Sequence, residues 1–117
     1  MITDTDHELL ELAYRAWAPG QNYIRLINDA GRDYWNPLKD DGDALRLAVK
    51  LNLHITPYPV YEEPKHSVVV LRNQDFVQQM RTPHNPTEVV ESYGSDPIAA
   101  TRRAIVRAAA EIGKSIK

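Results

Sequence analysis

One short run of this sequence places apolar side chains on both sides of the backbone: Ser67-Val68-Val69-Val70-Leu71. Consecutive β-branched residues without polar alternation are typical of a strand that is covered on both faces. Because both faces must be kept from water, other elements have to pack on each side of it. We therefore predict that this strand forms the centre of a sheet and that helices cover the sheet.

Two helices are predicted in the first half of the chain from apolar residues at helical spacing. The first starts with a capping box, in which Thr5 is the N-cap and Glu8 follows three residues later, and it ends at residues 19–20, Pro-Gly. The second follows a loop that ends in an acidic N-cap at Asp43, and Asn52 closes it.

The last helix carries signals at both ends. Asp96 is the expected N-cap, Pro97 the first helical residue and Gly113 the residue that closes the helix. The expected apolar face consists of Ile98, Thr101, Ile105, Ala108, Ala109 and Ile112. The other side carries Arg103, Arg107 and Glu111.

The remaining elements are strands and loops. Residues 21–35 read as a β-hairpin with its turn at residues 28–31. Residues 53–61 contain two prolines, which favour an edge strand or an extended connector. Residues 72–86 show only a weak pattern and are predicted to be an irregular loop, with a short strand near residues 76–80 as the alternative. Residues 87–93 form the last predicted strand. The fold class is therefore α+β, with a mostly antiparallel sheet in a single domain over residues 1–117.

Composition excludes several function classes. The chain has 117 residues, of which 43% are hydrophobic and 26% charged, as expected for one globular domain. It has no cysteine, which excludes disulfides, thiolate zinc sites and cysteine nucleophiles. No long apolar run or basic leader is present in this sequence, so we expect an intracellular protein. A net charge of −2 disfavours binding to duplex DNA.

Two blocks of the sequence are similar to a known family. They contain a Trp-Asn-Pro loop at residues 35–37, an Asp-Asp-Gly-Asp segment at residues 40–43 and an Ala-Thr-Arg-Arg-Ala helix at residues 100–104, with Lys-His-Ser-Val at residues 65–68 between them. With these blocks, nearly the whole chain resembles the phage ABA sandwich domain family of small tailed-phage and prophage proteins. The resemblance implies a three-layer α/β/α sandwich and the cytoplasm of a bacterial host. It implies no catalytic residues and no cofactor.

This sequence departs from the family pattern at two places. Lys39 stands where threonine is more usual, and the segment of residues 72–86 differs as a whole. A function located in that segment would therefore differ from that of other family members.

Five residues are candidates for ligand binding. Arg102, Arg103 and Arg107 follow the start of the last helix, and a planar guanidinium group suits phosphate or carboxylate. The alternative is a solvated helix face on which Arg107 pairs with Glu111 four residues later. The anion would not lie on the helix end itself, because Asp96 already occupies it.

The other two candidates are aromatic. Trp35 and Tyr93 lie near predicted strand ends, where a ring can stack on a nucleobase. Core packing is the simpler interpretation of Trp35. Tyr93, next to Gly94 and Ser95 and before the arginine helix, is the better candidate for a ring that faces a ligand.

Metal and catalytic patterns are weak. The segment Asp40-Asp41-Gly42-Asp43 invites a calcium or magnesium site, but no glutamate stands at the closing position, so a turn and helix cap is the preferred interpretation. The four histidines, His7, His54, His66 and His84, have no metal-binding spacing. We therefore expect no metal, no cofactor and no catalytic set.

The sequence thus favours binding over catalysis. The first hypothesis is a phage accessory protein, a homo-oligomer that sequesters a small anionic host immune signal of nucleotide type. The alternative is a protein-interaction module that inhibits or redirects a host protein through a strand edge or through residues 72–86. An enzyme such as a nucleotide hydrolase is a third reading, without residues to carry it.

Overall fold

The computed structural model describes residues 4–20, 35–58, 67–72 and 88–116. Within these ranges the chain forms three helices and three strands. The helices are α1 (Asp4–Trp17), α2 (Asp41–Lys50) and α3 (Pro97–Lys114), and the strands are β1 (Leu53–Tyr58), β2 (Ser67–Arg72) and β3 (Val89–Ser92). The predicted α+β class is confirmed. The predicted hairpin lies outside the described residues except for Trp35, which is not in a strand.

The three strands form an antiparallel sheet in the order β1-β2-β3. The apolar run of residues 67–71 is its middle strand, as predicted, and Pro57 lies on the outer strand β1, where a missing N–H is tolerated. Because side chains alternate along a strand, Val68 and Val70 face the core, whereas Ser67 and Leu71 point to the opposite face and are also buried. Both faces of β2 are therefore covered, as its composition predicts.

The third helix is the centre of the described fold. It packs on β2 and β3 and also contacts α1 and α2. It is therefore buried on more than one side, which explains its many small residues. Its buried residues are Ala100, Ala104, Ile105, Val106, Ala108, Ala109, Ala110, Ile112 and Gly113. The described helices α1 and α2 both pack against α3. A three-layer sandwich needs helices on both faces of the sheet, so that arrangement stays a prediction.

The sequence predicts the start of α3 correctly but not its end. The Asp96 carboxylate accepts a hydrogen bond from Ala99 N at 3.0 Å, which confirms the N-cap. The predicted closure at Gly113 is wrong. The helix continues to Lys114 with Ser115 as its C-cap, and Gly113 is a buried residue inside the helix.

Helix α1 buries Leu10, Ala13 and Ala16, as its spacing predicts. It begins at Asp4, so Thr5 lies within the first turn and its predicted N-cap role is wrong. The helix ends before Pro19, and Gly20 adopts a φ of 85° that suits glycine. In the described part of the chain, no helix combines the length and the apolar character that a membrane span requires.

Candidate functional site

The Asp-Asp-Gly-Asp segment is a turn and helix cap, which confirms the preferred interpretation, although the capping residue is Asp40 and not Asp43. The Asp40 carboxylate accepts from Asp43 N at 2.7 Å. The Asp43 carboxylate is then free to act elsewhere, and it accepts from Asn36 N at 2.9 Å and from Arg46 Nη2 at 2.7 Å. It thereby ties the preceding loop to the start of α2.

The Trp-Asn-Pro loop is stabilised by hydrogen bonds that its asparagine accepts from the residues that follow it. Asn36 is buried, and its Oδ1 accepts from Leu38 N at 3.1 Å, which is an Asx-turn. The backbone oxygen of Asn36 accepts from Lys39 N and Asp40 N, so the turn leads directly into α2. Within the described residues, no group of three or more metal-ligating side chains is present in this segment or elsewhere.

Arg102 joins this turn to α3. Its Nε donates to Leu38 O at 2.8 Å, and its Nη1 donates to Asp41 Oδ1 at 2.6 Å. The side chain is largely buried, with 17% of its surface exposed. Its contacts are those of a group that holds α2 against α3, so the structure places this predicted ligand residue in a packing role.

Arg103 and Arg107 lie on a different side of α3 and meet at Glu91 of β3. The Arg107 Nη1 lies 2.5 Å from Glu91 Oε2, and the Arg103 Nε lies 3.9 Å from Glu91 Oε1. Arg103 Nη1 also donates to Asp6 of α1 at 3.0 Å. The cluster of these four side chains, here called the Glu91 cluster, connects α1, β3 and α3.

The predicted pairing of Arg107 with Glu111 is wrong. Glu111 pairs with Lys114 at 2.8 Å instead, and Arg107 turns towards β3, where Nη1 also approaches Val90 O at 3.4 Å. A partly buried carboxylate on the sheet is a better partner than an exposed one on the same helix, because solvent screens it less.

The Glu91 cluster balances two positive against two negative groups, yet it keeps unused donors. Arg103 and Arg107 expose 39% and 41% of their side chains. Both make their hydrogen bonds through Nη1, and their Nη2 groups donate to no atom of the described residues. Each planar guanidinium group carries five N–H donors, so an anion can still be bound from the solvent side.

The aromatic candidates do not join the Glu91 cluster through any contact of the described residues. Tyr93 is partly buried and packs against the core. Trp35 packs against the core as well, with its ring centroid 5.3 Å from that of Tyr14 and 6.1 Å from that of Trp17. The simpler interpretation of Trp35 as a packing residue agrees with this placement. Tyr93 is partly buried against the core, and its role as a ring that faces a ligand stays a prediction.

The rings of Tyr14, Trp17 and Trp35 are here called the aromatic region. Two features in and near it could not be predicted from the sequence. Lys50 of α2 lies 4.7 Å from the centre of the Trp17 ring and donates to the backbone oxygen of Trp17. Among the described residues, the buried Nε1 of Trp35 and Nδ1 of His7 find no hydrogen-bond partner. These contacts depend on how α1 and α2 meet, and no local spacing in the sequence reports that.

The five predicted ligand residues therefore separate into four places: Arg102 at the α2 turn, Arg103 and Arg107 at the Glu91 cluster, Trp35 in the aromatic region, and Tyr93 at the core. Glu91 and Asp6, which the sequence did not single out, complete the second of these. Arg103 and Arg107 expose about two fifths of their side chains and keep spare donors towards the described residues. Comparison of the chain with protein-family models, with curated proteins and with solved structures finds no match, so the family resemblance stays a prediction.

Proposed function

We propose that this chain is a phage accessory protein that acts by binding and not by catalysis. Its ligand is a small anion of nucleotide type, such as a host immune signal, which it sequesters in the cytoplasm of the bacterial host. The observation that carries the proposal is the meeting of two half-exposed arginines on one carboxylate. In this arrangement the Glu91 carboxylate occupies the position that a ligand phosphate or carboxylate would take.

The balance of positive and negative side chains in the Glu91 cluster determines which interactions can bind an anion there. With Asp6 and Glu91 beside the arginines, long-range attraction of an anion is weak, so affinity has to come from hydrogen bonds to the guanidinium edges. A phosphate group that displaces Glu91 from Arg107 would replace the charge-assisted bond that Glu91 makes to Arg107 Nη1. The Nη2 groups then add further contacts.

Binding can be tested with cyclic dinucleotides and with signals derived from ADP-ribose. Purified protein is incubated with each compound, free ligand is measured after filtration, and the protein is heated to release what it holds. A bound compound is expected to be depleted, to be recovered unchanged on heating and to raise the melting temperature. Depletion should be lost in Arg103→Ala and Arg107→Ala and kept in Arg46→Ala, whose arginine is also exposed and paired.

Three outcomes would contradict the proposal. Depletion or thermal shift by none of these compounds removes the ligand class, and conversion of a compound to product removes the binding-only mechanism. Capture of a stoichiometric host protein without ligand depletion favours the protein-interaction module instead. The segment of residues 72–86, which that alternative would use, lies outside the described residues except for Arg72 at the end of β2.

Replacing Glu91 tests the competition directly. In Glu91→Gln the amide fills the same space but no longer neutralises Arg103 and Arg107, so we expect the affinity for a depleted ligand to rise about tenfold. Isothermal titration of both proteins measures the change. The matched control is Glu111→Gln, which removes a carboxylate of α3 that pairs with Lys114 outside the Glu91 cluster, and it should leave the affinity unchanged. Weaker binding by Glu91→Gln would mean that Glu91 organises the arginines and does not compete with the ligand.

A further inference from the structure

The Glu91 carboxylate approaches the two arginines of its cluster with different oxygen atoms. Its Oε2 lies 2.5 Å from Arg107 Nη1, and its Oε1 lies 3.9 Å from Arg103 Nε. Both carboxylate oxygens are thus directed at guanidinium groups, and none remains for the Nη2 donors. A ligand that only reproduced these contacts would be at a disadvantage, because Glu91 belongs to the same chain and is already in place.

Contacts from two other elements border the arginines. Asp6 of α1 accepts from Arg103 Nη1 at 3.0 Å, and Val90 O of β3 lies 3.4 Å from Arg107 Nη1. The side chains of Asp6 and Glu91 are 17% and 20% exposed, so both are less exposed than either arginine. A group that reaches the Nη2 donors therefore enters from the solvent side. That approach suits a group with one substituent better than a group with two, since the second substituent would be directed at α1 or β3.

Phosphate monoesters and phosphate diesters differ in the number of oxygens and substituents that they bring. A monoester has three non-bridging oxygens, a charge of about −1.5 to −2 at pH 7 and a single substituent. A diester has two non-bridging oxygens, one negative charge and two substituents. In oxygens and charge, a diester therefore offers the arginines no more than the Glu91 carboxylate already does.

We propose that the Glu91 cluster selects a terminal phosphate monoester over a phosphate diester. Two phosphate oxygens take the positions of the Glu91 oxygens, the third accepts from the Nη2 donors, and the single substituent points to solvent. This inference rests on the function proposed above, because it names the chemical group by which the nucleotide-type ligand is held. It favours nucleotides with a terminal phosphate over cyclic dinucleotides, whose phosphates are all diesters.

Adenosine monophosphate (AMP) and cyclic AMP are the probes that test the selection. They share base and sugar, and they differ in whether the phosphate is a monoester or a diester. Isothermal titration is expected to show that AMP binds about tenfold more tightly than cyclic AMP. Adenosine, which has no phosphate, is the control for binding through base and sugar alone and should not bind measurably.

Lysine substitutions separate the number of donors from the charge. Arg103→Lys and Arg107→Lys keep the positive charge but lose the planar set of donors, so the preference for AMP is expected to fall to about twofold or less. Arg46→Lys is the matched control, since Arg46 is also exposed and paired with a carboxylate but lies on α2, and it should keep the full preference. Circular dichroism verifies that each variant is folded.

The outcomes distinguish this inference from the function on which it rests. Cyclic AMP that binds as tightly as AMP, or a preference that survives both lysine substitutions, overturns the selection of monoesters and leaves the proposed binding function standing. Absence of AMP binding up to about 10 mM also overturns it, even where a cyclic dinucleotide is depleted. If no nucleotide-type compound binds at all, the proposed function fails as well.

Discussion

Replacing Gly113 by alanine is expected to destabilise the fold by about 3 kcal/mol or more, with a fall in Tm of about 10 °C. The reason is the close approach of α1 and α3. A Cβ atom at Gly113 would lie 1.8 Å from the backbone oxygen of Leu12 and 2.8 Å from its carbonyl carbon. Backbone atoms of a neighbouring helix cannot rotate away, so α1 would have to move off α3 and lose packing along its length.

The matched control is Gly42→Ala, which makes the same substitution in a helix where the new methyl group meets a flexible side chain. At Gly42 the nearest atoms are the Arg46 guanidinium nitrogens at 3.1 and 3.2 Å and an Asp40 oxygen at 3.2 Å. The guanidinium group can swing aside, and alanine favours the helix by up to about 1 kcal/mol. We expect little change or slight stabilisation, measured for both variants by chemical denaturation. Equal losses in the two proteins would mean that the helix approach at Gly113 is not what limits stability.

Gly113 also shows that a contact between distant parts of the chain cannot be predicted from a local sequence pattern. A glycine near the end of a helical pattern is the usual signal for a C-cap, and that rule predicted closure there. The residue that requires the glycine, Leu12, is about one hundred positions earlier, so the local pattern contains no trace of it. The same holds for Arg107: its local partner, Glu111, was visible in the sequence, but the partner it contacts belongs to another element.

Periodic features were predicted better, because they are local. The apolar run of residues 67–71 predicts a strand covered on both faces, and β2 is the middle strand of the described sheet. The Asp96-Pro97 pair likewise sets the start of α3 through the chemistry of one turn. Leu45 is an exception: its place beside Ala44 and Leu47 suggests an apolar face, yet it is exposed. Which side of a short helix faces the core depends on its neighbours.

The start of α2 is a further case, since three aspartates in four residues offer three possible caps. The structure uses Asp40, three residues before the Asp43 N–H that it accepts. Asp43 does not cap the helix, because its carboxylate accepts a hydrogen bond from Asn36 N in the preceding loop. The contact with the loop of residues 35–37 therefore decides which aspartate caps the helix.

We therefore expect Asp43→Ala to lower the free energy of unfolding by more than the loss of an ordinary exposed aspartate at a helix start. The side chain is 15% exposed and accepts from Asn36 N and Arg46 Nη2, so its removal breaks both bonds, one of them to the backbone of a buried residue. We expect a loss of about 2 kcal/mol in the free energy of unfolding. Asp41→Ala is the control: that carboxylate is 71% exposed, its bond to Arg102 is screened by solvent, and its loss should cost less than about 1 kcal/mol.

Asp43→Asn separates the two contributions that the alanine variant removes together. The amide oxygen can still accept from Asn36 N, but the ion pair with Arg46 is gone. We expect most of the stability to return because the hydrogen bond between the loop and the start of α2 is restored. Chemical denaturation of the three variants gives the comparison. If Asp43→Asn were as unstable as Asp43→Ala, the exposed pair with Arg46 would be the important contact. If Asp41→Ala matched Asp43→Ala, helix-end charge and not the loop contact would explain why aspartates stand at this turn.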